Sequence, residues 1–95
     1  MAYFPKGDCS GRVAWKFQGG DWFPVNPPPS TAACTAASVF EFQGQTIHVD
    51  TGHGLPHAAF VALQAAYPND IKEEPPGSGI FTLPMVPNGT PVIIP

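Results

Sequence analysis

From Arg12 to Gln18 apolar and polar positions alternate, with Val13, Trp15 and Phe17 set against Arg12, Ala14, Lys16 and Gln18. A strand turns successive side chains to opposite faces, so this stretch predicts a half-buried strand closed by Gly19-Gly20-Asp21. Trp22, Phe23 and Val25 form a second apolar segment that stops at Asn26 and Pro27-Pro28-Pro29, a run without amide hydrogens that favours a stiff polyproline spacer. Between Val39 and Asp50, β-branched and aromatic residues flank a glycine-containing break, which predicts an antiparallel hairpin turning near Gln43-Gly44. Beyond the Thr51-Gly52-His53-Gly54 turn the period changes. Pro56 suits a first helical position, Phe60, Leu63 and Tyr67 make one apolar stripe, and Pro68 stops the element, so a short helix is expected over about 56–67.

Further along, Asn69 to Gly79 reads as a solvated loop, because Asp70, Lys72, Glu73 and Glu74 gather charge ahead of Pro75-Pro76-Gly77. Ile80-Phe81-Thr82-Leu83 and Val92-Ile93-Ile94 predict two more strands, which prolines 84, 87, 91 and 95 confine to sheet edges or to extended arms lying on another surface. The stretch Ser30 to Ala37 is open between a helical turn and an extended pass. The expected architecture is a single small domain over 1–95, mainly β with one short helix, in a small sheet or barrel-like arrangement. Pro-rich arms are expected at about 1–11 and 80–95. Thirteen prolines and ten glycines make the chain loop-rich, while seven Phe, two Trp and two Tyr supply enough aromatic surface for a modest core.

Charge narrows the partners. Four basic and seven acidic residues give a net charge of -3, which leaves no positive field for phosphates, so neither nucleic acid nor a membrane surface is an expected partner. The first residues lack a charged start followed by an apolar stretch, and no run approaches the roughly 18–20 apolar residues of a membrane span. Without an export signal, Cys9 and Cys34 are expected first as two thiols, a disulfide between them being the alternative. No cofactor is expected. His48, His53 and His57, with Asp50 among them, raise a metal site as a minor alternative, although their spacing fits no established zinc pattern.

Three stretches carry no Asp, Glu, Lys or Arg: 22–40, 51–69 and 80–95, together 54 of 95 residues. A chain this short exposes a large share of its residues, so parts of these stretches must face something, and a neighbouring protein is the natural cover. In composition the chain resembles the small accessory proteins of phage particles, such as capsid decoration proteins and tail or connector components. That resemblance implies a non-catalytic structural subunit that packs on major capsid or tail protein and forms a homo-oligomer in the assembly. It would be made in the host cytoplasm and reside in the virion. Aromatic anchors usually dominate interfaces, so Tyr3, Phe4, Trp22 and Phe23 are the expected contacts, with Ile80, Phe81, Leu83, Val92, Ile93 and Ile94 of the C-terminal arm.

One motif has a catalytic look. Ile47-His48-Val49-Asp50-Thr51-Gly52 resembles the active-site turn of retroviral-type aspartic proteases, which implies Asp50 as one carboxylate of a pair shared by two subunits. The resemblance covers Val39 to Gly52, and the family's later hydrophobic-hydrophobic-Gly motif has no counterpart here. Asp-Thr-Gly reads first as a strand-ending turn in which the Asp side chain accepts bonds from nearby amides.

Overall fold

In the computed structural model residues 3–95 are described, so Met1 and Ala2 of the expected N-terminal arm lie outside the described residues. Strand β1 (Arg12–Gln18) and β2 (Asp21–Val25) pair antiparallel, with Phe17 opposite Trp22 and Trp15 opposite Pro24. Their turn is Gly19-Gly20, both at positive φ (63° and 92°), the backbone that a two-residue hairpin loop demands. A brief β3 (Cys34–Thr35) shows Ser30 to Ala37 to be an extended pass. The predicted hairpin follows as β4 (Val39–Phe42) and β5 (Gln45–His48), with Gln43 at φ 51° and Gly44 at φ 77° in the turn. Then come β6 (Leu55–Pro56), the helix α1 (His57–Ala66), β7 (Lys72–Glu73), β8 (Phe81–Pro84), β9 (Val86–Pro87) and β10 (Val92–Ile94).

The protein is mainly β, with one helix among the described residues and three small open sheets. A five-stranded sheet runs β6-β2-β1-β8-β7, a three-stranded sheet runs β10-β4-β5, and β3 pairs with β9. Between them lies a core whose largest fully buried side chains include Trp15, Phe40, Phe60, Leu55, Leu63 and Leu83. Trp15 of the larger sheet meets Phe40 of the smaller one edge to face at 5.8 Å, the favoured geometry for two ring quadrupoles. The helix lays Ala59, Phe60 and Leu63 on this core, as its stripe predicts, and Tyr67 just past its end is also buried. At Gly54 the backbone passes so close to β2 that an added Cβ would stand 2.6 Å from Asp21 Cβ and 2.8 Å from the Trp22 carbonyl oxygen.

Both expected arms are part of the body. In the N-terminal segment Phe4 is buried and meets Tyr67 edge to face at 5.4 Å, and Cys9 is buried too. Residues 80–95 are a structural element and not an appendage: β8 sits between β1 and β7, with Leu83 opposite Val13, and β10 runs parallel to β4, with Val92 opposite Phe40. The prolines do not prevent this because each stands at a strand boundary. Pro84 is the last residue of β8, Pro87 the last of β9, and Pro91 and Pro95 flank β10, so the ladder loses no interior amide.

The cysteines correct a second expectation. Cys9 and Cys34 are joined in a disulfide with Cα atoms 6.0 Å apart, not held as two thiols. A turn in which Cys9 N–H donates to the Lys6 carbonyl brings one half into place, and the β3–β9 pairing fixes the other. The link ties the N-terminal segment to a ribbon that strand pairing alone would hold at two residues a side.

Candidate interaction surface

Among the described residues the exposed large hydrophobic side chains are Tyr3, Phe17, Val61 and Ile93, at 80%, 50%, 49% and 49% exposure. Phe17 and Val61 belong to one patch. Phe17 stands at the end of β1 beside the Gly19-Gly20 turn, where the strand runs past the helix, and its ring lies 5.0 Å from that of His57. His57 opens α1, and Val61 follows four residues on, which puts it on the same helix face. Beneath this surface Trp22 stacks on Phe60 at 4.0 Å with planes 10° apart, and Phe81 meets both rings edge to face. The Trp22 indole N–H donates to His57 Nδ1 at 3.1 Å. Indole nitrogen can only donate, so Nδ1 is the acceptor and the exposed His57 ring is held in one orientation. A rigid aromatic layer thus supports an exposed apolar rim.

Of the residues expected to contact a partner, Phe4, Trp22, Leu83, Val92 and Ile94 are buried in the chain's own core and cannot. Phe23, Ile80 and Phe81 are half-buried, while Tyr3 and Ile93 are open to solvent. Phe17 was legible only as an inward strand position, since alternation assigns a face but does not say where the opposing layer ends. Val61 carried a usable signal, because it lies off the stripe of Phe60, Leu63 and Tyr67.

Asp50 ends the second hairpin as a turn. Its Oδ1 accepts the amides of Gly52 and His53, each at 2.8 Å, and lies 3.1 Å from His53 Nδ1, while its own amide donates to the His53 carbonyl. The Gly52 amide first, and the His53 side chain next, hold the Asp50 carboxyl below the usual carboxylate range. The side chain is exposed and its bonding oxygen is spent within four residues of sequence. The three histidines do not converge: His57 is bound to Trp22, His53 pairs with Asp50, and His48 is exposed on β5. Among the described residues no group of three His, Cys, Asp or Glu is placed to hold a metal.

Three of the clefts among the described residues are shallow and open. The first, of about 270 Å³, lies between β9, β10 and β4 and has Glu41 as its charged residue. The second, of about 230 Å³, holds Lys16 beside Phe23, and the third, of about 330 Å³, lies past the helix end with Asp70 and Tyr67. Each brings a single formally charged side chain. No helix among the described residues is long and apolar enough to cross a membrane. No family model matches the chain, and neither a curated protein nor a solved structure shows significant similarity to it.

Proposed function

We propose that the chain is a non-catalytic structural subunit of a large protein assembly, of the kind that decorates a viral capsid or completes a tail, and that it packs on neighbouring subunits. The observation that carries this reading is the Phe17–His57–Val61 patch: apolar surface on a rigid aromatic support, in a chain with only eleven charged residues. Preorganised aromatic anchors lose little side-chain entropy on docking, which makes them effective at interfaces. The Cys9–Cys34 bond supports the same setting, since structural disulfides persist where thiols are not kept reduced, virion and cell surfaces among those places. The contact residues in this reading are Phe17, His57 and Val61, with Tyr3 and Ile93 as secondary exposed positions.

The test is sedimentation of an extract of the source on a density gradient. The native chain is expected in a fast fraction with a large protein assembly, and the double variant Phe17→Asp, Val61→Asp near the top with its circular dichroism unchanged. A native chain that stays at the top as a free small protein would overturn the reading.

A further inference from the structure

Open strand edges are templates for other chains, and most of the edges here are blocked. In the five-stranded sheet the outer strands β6 and β7 are two residues each; β6 contains Pro56, and β7 leads directly into Glu74-Pro75. The short β3–β9 ribbon contains Pro87, and the Asn88 side-chain amide closes over it by donating to the carbonyls of Thr31 and Ala32. At β10 the Tyr67 hydroxyl donates to the Ile93 carbonyl at 2.6 Å. Strand β5 has none of these devices: it is four residues long, without proline, Asp, Glu, Lys or Arg, and it forms the outer strand of its sheet.

Register fixes which groups it offers. The Val49 amide donates to the Ser38 carbonyl, and Phe40 lies opposite Ile47, so Gln45, Ile47 and Val49 direct their backbone groups toward β4. Thr46 and His48 therefore direct their N–H and C=O groups outward, and no described residue bonds to them. We infer that this edge is a self-association site, at which β5 of a second copy adds antiparallel and joins the two three-stranded sheets into one. The edge is its own complement. About a two-fold axis through Ile47, Thr46 meets His48 of the other copy and each outward N–H finds a carbonyl. The two Ile47 side chains then stand opposite each other in the close, non-hydrogen-bonded kind of pair. Ile47 is half-buried against the core, so this contact completes its burial. Charge permits it as well: Glu41 is the only acidic residue in the hairpin and lies on β4, one strand in from the seam. A foreign strand would need matching residues at each position, whereas a second copy carries the match already.

The inference rests on the assembly-subunit reading and names one contact within it. Four-residue pairing buries little area, so the expected association is weak and appears as a solution mass that rises with concentration by light scattering. Thr46→Pro removes an outward amide while leaving the β4 ladder intact, and should weaken the association about tenfold or more. Cross-linking reads the register independently of that variant's folding. Ile47→Cys should form a disulfide-linked dimer under mild oxidation much faster than Gln45→Cys, because only position 47 faces itself. Equal linking rates, or a mass that rises but is unchanged in both Thr46→Pro and Thr46→Lys, would overturn the β5 seam while leaving the subunit reading in place. A native chain that is monomeric at every concentration, with neither cysteine variant linking, would overturn the seam whatever the gradient experiment shows.

Discussion

The two hairpins are built alike and end in opposite situations. Each turns on two residues at positive φ, Gly19-Gly20 in the first and Gln43-Gly44 in the second, and each carries a large aromatic that is fully buried, Trp15 and Phe40. In the first, β1 is flanked by β2 and, from Arg12 to Trp15, by β8, and β2 is paired on its other side by β6 at Asp21 and Trp22. In the second, β4 is enclosed by β10 and β5, but β5 itself has a neighbour on one side only. The difference does not come from turn chemistry or strand composition. It comes from the segment ahead of the helix: residues 80–95 cover the first strand of each hairpin, β8 on β1 and β10 on β4, but β6 pairs with the second strand of the first hairpin while no described strand pairs with the outer side of β5.

The largest expected effect tests whether the hairpins differ in stability as they do in surroundings. Trp15→Ala empties the contact between the two sheets and should cost about 3–5 kcal/mol, a large share of the roughly 5–15 kcal/mol by which such domains are stable. Ile47→Ala, at a half-buried position on the open strand, should cost about 1 kcal/mol. Urea melts of the two variants give the comparison directly. Similar losses would mean that β5 is as integral to the core as β1, and the contrast between the hairpins would fail.

What the sequence discloses follows the same division between local and distant pairing. The hairpin at Gln43-Gly44, the helix now placed at His57–Ala66 and the buried faces of Val13 and Trp15 were legible, because turn chemistry and periodicity act over a few residues. The placement of residues 80–95 was not. Parallel pairing of Val92 with Phe40 joins segments far apart in the chain, and no local pattern distinguishes a proline-flanked arm from a proline-flanked core strand. The disulfide stood only as the alternative for the same reason, since the β3–β9 pairing that sets Cys34 beside Cys9 joins distant segments. At the candidate surface Tyr3 and Ile93 were named from the sequence and are exposed. The Phe17–His57–Val61 patch was not, because it is formed where strand and helix come together.

A smaller effect sharpens the contrast by reopening the other side of the three-stranded sheet. Tyr67→Phe removes the hydroxyl that closes over Ile93 and should cost about 1 kcal/mol, a fall of roughly 4–8 °C in Tm for a chain of this size. Burial, and secondarily the Asp70 carboxylate, raises the Tyr67 pKa above the usual tyrosine value. The unfolded chain therefore ionises first as pH rises. The stabilisation is complete below the ordinary range near pH 10 and is lost as pH climbs from there through the folded value. Thermal melts should accordingly show the native protein losing its advantage over Tyr67→Phe in alkali. A constant difference across that range would separate the hydroxyl from the closure of β10.

The smallest effect concerns the end of the open strand. After β5 the chain is turned back by Asp50, whose Oδ1 receives the Gly52 and His53 amides, and those bonds favour the charged carboxylate. A carboxyl with a depressed pKa contributes stability above its unfolded value, near pH 4, and loses it as pH falls through the lower folded value. Asp50→Asn retains an oxygen that can accept the same amides but has no proton to gain in that range. Between about pH 5 and pH 2 the native melting temperature should fall slightly more than that of Asp50→Asn, with the two close at neutral pH. Because the side chain is exposed, the gap should narrow in high salt. Parallel acid profiles would show that the turn owes nothing to the charge on Asp50. The end of β5 would then be set by backbone geometry alone, as at Gly19-Gly20 in the first hairpin.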